Sequence, residues 1–276
     1  QSCDIMRMTH MLAGVLVESC LLFDEPDKGL EYGFDQLAGM LGKEPLEGPL
    51  ADAGMPPTYL TDFETECGRA LARSMFEDWL ECVYEFHDLV LNIIHYNICI
   101  WENDGHERSE MFRLFVESAQ RCMAYEIAAQ ELCDFVIDKK IGLDGWTLPD
   151  SVAGLSAIAG RRLALSLNTG QGGLFSDARH ALDDLDHIAC VMTQEAIRLG
   201  IPAGSDWRFG LAANDVPINP PVELIYSLDP YCRTFFLALG LRALEDQAVC
   251  CAKAAGRMIA VAAGGDVPEI ETVIAK

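Results

Sequence analysis

Apolar residues in this chain recur at three- and four-residue intervals over long runs and never settle into strict alternation. That period constrains the fold more than any other feature, because it draws one apolar stripe along a helix. Phe76, Leu80, Val83, Phe86, Val90 and Ile94 follow it in one segment, and Phe115, Ala119, Cys122, Met123, Cys133 and Ile137 in another. Strands would need a period of two, and no series of such runs occurs. The pattern therefore predicts an all-α chain.

Punctuation residues divide the pattern into helices. The expected spans are about 4–23, 30–41, 61–101, 108–140, 149–167, 177–199 and 229–263. Pro45, Pro49, Pro56 and Pro57 mark an irregular connection after the second helix. Thr61 and Glu64 form a capping-box pattern at the start of the third. Asn103-Asp104-Gly105 reads as a turn, so 61–101 and 108–140 are expected to fold back as an antiparallel hairpin. Gly142 stops the fourth helix, and Gly264-Gly265 stops the last. No internal repeat is visible. The expected architecture is one helical domain, 1–276, with N-terminal helices and an irregular connection over 1–59 and the main bundle over 60–276.

The last segment, 229–263, is apolar and rich in small residues nearly all round. Arg233, Arg242, Glu245, Asp246, Lys253 and Arg257 argue against a membrane span, so it reads as a helix buried on most sides. The chain has 43 acidic and 20 basic residues, a formal charge of -23. Such a surface repels phosphate backbones and anionic lipid, which excludes nucleic acid and membrane surfaces as expected partners. Its 11 cysteines form no CxxC pair and fall mostly inside helical runs. That is the usage of small reduced hydrophobes, and it predicts a cytoplasmic compartment. Asp4, Arg7 and Glu18 interrupt the first segment, so it does not read as a signal peptide. The glycine loop Asn168–Gly173 lacks the Lys-Ser/Thr of a phosphate loop, and no nucleotide is expected.

Function is sought where polar residues sit against the pattern. On the helix 61–101 a narrow stripe of Glu81, Glu85, Asp88, Asn92 and His95 remains on an otherwise apolar circumference. Asp88 and His95, seven apart, nearly superimpose; by itself the stripe reads as a thin solvent-facing strip on a core helix, and the alternative is a polar lining aimed at an internal site. On the helix 108–140, Glu126 falls in the middle of the apolar face with Gln130 beside it. A buried carboxylate needs a partner. Two are open here: an Arg from a neighbouring helix, or a metal ion. On the helix 177–199, His180, Asp184 and His187 share one line at i, i+4 and i+7, opposite the apolar face, with Arg198 further along the stripe. Taken alone, that helix reads as amphipathic with a solvated outer face; a ligand role needs the other two helices.

Together these residues resemble the ligand order of the haem-oxygenase-like di-iron oxidases: a carboxylate and a His seven residues on, a lone Glu on a second helix, and His-x3-Asp-x2-His on a third. The resemblance covers three helices and six positions. It implies a haem-oxygenase-like helical bundle without haem, with two irons held by Asp88, His95, Glu126, His180, Asp184 and His187. Glu81 or Glu85 could replace Asp88, which is a methylene shorter than the family's usual Glu. Glu131 or Glu117 could replace Glu126. Three imidazoles and three carboxylates suit iron, leaving positions open for O2. The implied activity is an O2-dependent oxidation of a small molecule of amino-acid or fatty-acid type, with Arg198 able to pair a substrate carboxylate.

A different class fits the same features. A helical adaptor or chaperone-type protein with no chemistry would also show long amphipathic helices, acidity and reduced cysteines. Its partner would be a protein, and a homodimer is open in either case. A mononuclear site using His180, Asp184 and His187 alone is a narrower alternative. Asp183-Asp184-Leu185-Asp186 is not the DDxxD pattern of isoprenoid synthases.

Overall fold

The computed structural model describes the backbone of residues 2–42, 60–79, 82–169, 178–203 and 217–263, and the side chains of 5–42, 64–77, 82–166, 188–203 and 217–263. Over these residues the protein is all-helical, as the period requires. The helices are α1 (Ser2–Cys20), α2 (Pro26–Met40), α3 (Leu60–Trp79), α4 (Val83–Asn103), α5 (Arg108–Phe135), α6 (Leu148–Thr169), α7 (Ala178–Arg198), α8 (Pro221–Ala238) and α9 (Leu244–Ala262). Among the described residues no helix is long and apolar enough to cross a membrane.

Three expected spans differ from those observed. The single helix 61–101 is two helices, with Cys82 extended between them (φ -119°, ψ 120°). An unbroken helix of that length would run about 60 Å. The break lets both α3 and α4 lie against α1. The helix 108–140 leaves α geometry at Phe135 and ends in a π-helical turn, Val136–Ile141, closed by the Gly142 amide donating to the Ile137 carbonyl at 3.0 Å. The helix expected over 229–263 is divided into α8, which starts earlier at Pro221 and carries Pro230 inside it, and α9. Gly240, at φ +74°, makes the division. Its amide donates to Leu237 at 3.2 Å and the Leu241 amide to Phe236 at 2.9 Å, the paired bonds of a Schellman stop.

The chain forms two compact units, Gln1–Ala124 and Tyr125–Lys276, and the boundary falls within α5. In the first unit α1 is the hub, packing on α2, α3 and α4. Glycine makes its crossing with α3 close: a Cβ on Gly68 would lie far inside contact distance of the Met11 carbonyl oxygen, and one on Gly14 would strike the Thr65 carbonyl. Glu18 of α1 is buried beside this crossing. It accepts from Arg69 Nε at 2.7 Å and pairs with Arg73 at 3.0 Å.

In the second unit α6 packs on α7, α8 and α9, and α9 packs on α6 and α7. Every residue of α9 from Gln247 to Met258 is buried. Composition predicts this burial for the whole segment 229–263, but it holds only in α9: on α8, Arg233, Thr234, Leu237 and Ala238 are exposed. The alanines, cysteines and Gly256 of α9 let neighbours approach closely: a Cβ on Gly256 would collide with the Met192 carbonyl and the Glu195 side chain of α7. Thr147 and Asp150 cap α6 reciprocally, and Asp150 also accepts from the Asn219 amide at 2.9 Å, fixing the entry to α8.

Candidate functional site

Among the described residues, the largest concentration of buried charge lies where α5, α7 and α9 meet within the second unit. Lys253 and Arg257 project from α9 one turn apart, so both reach the same side. Glu126 of α5, 3% exposed, accepts from Lys253 Nζ at 3.0 Å through one oxygen and from Arg257 at 2.5 Å through the other. Glu195 of α7, 1% exposed, accepts from Arg257 Nε at 2.7 Å. Arg198, one turn on, grips both Glu195 oxygens at 2.7 and 3.0 Å and stands 4.0 Å from Glu126. Gln130 takes the third face of the Arg257 guanidinium at 2.8 Å.

Arg257 is the centre of this arrangement. Carboxylate oxygens of Glu126 and Glu195 come within 4.8 Å of each other. The guanidinium donates to both, standing where a bridging cation would stand. Its planar fork suits three acceptors at once. Burial pushes the Glu195 carboxyl up, but Arg198, Arg257 and Lys253 outweigh it and hold that group well below the usual carboxylate range. Burial opposes the charge on Arg257, and Glu195 and Glu126 reverse that effect, raising it further. Both charged states are locked by their neighbours. Chemically the cluster is an ion-pair network with its acceptors engaged.

The other residues singled out by sequence fall in different places. Asp88 lies on α4, exposed, and its carbonyl accepts from Asn92 at 2.8 Å. His95, half-buried on α4, has Nε2 3.5 Å from the Cys99 thiol one turn on. Asp88 and His95 belong to the first unit, Glu126 and Arg198 to the second. Of these, the structure brings together Glu126 and Arg198. His180, Asp184 and His187 lie on the helical backbone of α7, but their side chains are outside the described residues, as is Glu81. Glu85 and Glu131 are exposed, and Glu117 pairs with Arg113 at 2.7 Å. No disulfide joins the described cysteines. Burial raises the Cys133 thiol to about 12, which leaves it an inert apolar group.

Sequence reasoning did not single out Glu195, Lys253 or Arg257 as site residues, although the last two carried a signal. Two cations at i and i+4 on an otherwise apolar helix require a buried acceptor, and Glu126 is one.

It also missed His87, which is buried on α4. The Ser19 hydroxyl donates to the Leu16 carbonyl at 2.7 Å, so it is His87 Nδ1–H that donates to Ser19 Oγ at 3.0 Å. That leaves Nε2 as a lone pair without a hydrogen-bond partner among the described residues, facing Gly33 and packed against Phe23. Burial lowers the tendency of His87 to protonate, only partly offset by Asp88.

No known family model matches the chain, and no curated protein or solved structure matches it either.

Proposed function

We propose that this protein is a non-catalytic helical binding protein of the adaptor or chaperone type, rather than an O2-dependent di-iron oxidase. The observation that carries the reading is the engagement of Glu126: Lys253 takes one oxygen and Arg257 the other. Metal binding at Glu126 would require displacing two buried cations, each then left without its counter-charge. Of the two partners open to Glu126 from the sequence, a neighbouring helix supplies the cationic one.

The binding surface in this reading is the outer side of α8. Val222 and Tyr226 lie on one stripe of that helix and are exposed, with Ile218 exposed just before it. Large apolar side chains gathered on one exposed face mark interaction surfaces. The ligand class is an apolar segment of an incompletely folded polypeptide, and the net charge of -23 would keep the complex soluble.

The test has two arms. The first measures whether the protein, at equimolar ratio, suppresses aggregation of a thermally unfolding enzyme, and whether Val222→Glu with Tyr226→Glu abolishes that. The second measures iron retained after anaerobic Fe(II) loading, with and without His180→Ala and His187→Ala. Suppression lost in the α8 variant, with no stoichiometric iron, is the expected result. Stoichiometric iron lost on the histidine substitutions, or no suppression by the wild type, overturns the reading.

A further inference from the structure

A second charged cluster lies between α6 and α8, and among the described residues its charges do not balance. Asp229 of α8 is buried and meets three guanidiniums. Arg162 NH2 donates to Oδ1 at 2.5 Å. Arg161 NH1 and Arg233 Nε both reach Oδ2, at 3.3 and 3.0 Å. Three positive charges thus surround one negative charge in a protein whose net charge is -23. Surplus arginine is not needed to neutralise Asp229, since Arg162 alone would do so. Bringing two further guanidiniums onto one oxygen costs mutual repulsion, which an added anion would relieve.

Exposure separates the roles of the three arginines. Arg162 has a side chain only 6% exposed, and its Nε–H has no hydrogen-bond partner among the described residues. Arg161 and Arg233 are, by contrast, 39% and 58% exposed. Each uses one nitrogen on Asp229 and keeps its remaining N–H donors for solvent or ligand. Asp229 therefore acts as a brace that aims two arginines outward side by side.

The register of the two helices supplies the rest. Asp150 bonds Asn219, Gly154 faces Leu224, and Arg161 and Arg162 meet Asp229. The helices run in the same direction there. One turn beyond the arginines come Leu165 on α6 and Leu237 on α8, both exposed. The surplus of two charges matches a dianion better than a monocarboxylate. Two guanidinium forks fit the oxygens of a phosphate group.

We propose that Arg161 and Arg233, braced on Asp229, form a binding site for an organic phosphate monoester whose apolar part rests on Leu165 and Leu237. The site does not depend on the polypeptide-binding reading given above.

The test is calorimetric titration of the full chain in low-chloride buffer with hexyl phosphate, inorganic phosphate and hexanoate. Hexyl phosphate is expected to bind saturably, with inorganic phosphate and hexanoate each weaker. Arg161→Gln with Arg233→Gln should weaken hexyl phosphate at least about tenfold, while Arg113→Gln, at another exposed ion pair, should not. Thermal melting of each variant separates lost affinity from lost fold, and each single substitution replaces the double if that variant does not fold. No saturable binding, equal affinity in the arginine variants, or hexanoate binding as tightly as hexyl phosphate overturns the proposal.

Discussion

Arg257 and Glu126 are joined across α9 and α5 at 2.5 Å, and the same guanidinium reaches Glu195 on α7 at 2.7 Å. One side chain thus ties together three helices of the second unit. Removing a single member of such a network leaves its partners charged and unmatched, which costs more than the network itself contributes. Glu126→Leu is expected to destabilise the protein by about 3–5 kcal/mol. Glu126→Leu with Lys253→Met should recover part of that loss. Urea melting curves of the single and double variants check it. A double variant as unstable as the sum of the two singles would mean that Glu126 and Lys253 do not act on each other.

Acid should act through Glu195. Its folded-state value is depressed, so the unfolded chain takes up a proton more readily than the folded one. The group therefore stabilises the fold above its unfolded value of about 4.3, and that contribution is lost as pH falls from there toward the lower folded value. Glu195→Gln should be less stable than wild type at pH 7, and should lose less additional stability between pH 5 and pH 3. Unfolding midpoints across that window measure both slopes. Parallel slopes would refute the assignment.

His87 predicts a milder effect nearer neutrality. Burial depresses its protonation in the folded protein, so the unfolded state binds the proton first as pH falls. Stability should decline once pH drops below about 6.5 and go on declining toward the lower folded value. His87→Phe keeps the packing against Phe23 but cannot protonate. Its stability should be flatter than that of wild type between pH 7 and pH 5.5. An unchanged pH dependence would show that His87 contributes nothing to it.

Gly68→Ala tests the α1–α3 crossing. The added methyl would meet the Met11 carbonyl of α1, a backbone atom that cannot rotate away. The helices must separate, and the loss should reach about 3 kcal/mol, at the upper end for overpacking. Gly39→Ala, where nothing stands within 4 Å, should be neutral or stabilising. Thermal denaturation of the two variants gives the comparison, and equal stability would remove the close crossing as a constraint.

Helix content was legible because the apolar period is local and persistent. The breaks were not, because neither disturbs that period. Leu239 and Leu241 flank Gly240 and keep the apolar count running through the turn, so the period carries no sign of the stop there. Cys82 carries no breaking residue at all; tertiary packing against α1 decides the division there. Glu126 was legible as an anomaly from its own helix alone. Its resolution was not, because Lys253 and Arg257 stand 127 and 131 residues away, and the acceptor those two cations require is not identified by their own helix. Arg161, Arg162 and Arg233 were unreadable as a group for the same reason: only the pairing of α6 with α8 places them on Asp229.

Those separations also matter during synthesis. When Glu126 leaves the ribosome, the residues that will neutralise it have not yet been made. Until α9 follows, the carboxylate must stay hydrated, and the second half of α5 cannot be enclosed. The contacts of α1 with α2, α3 and α4 are all complete before then. The first unit can therefore fold while the chain is still growing, whereas the second must hold its apolar surfaces open until its central helix arrives.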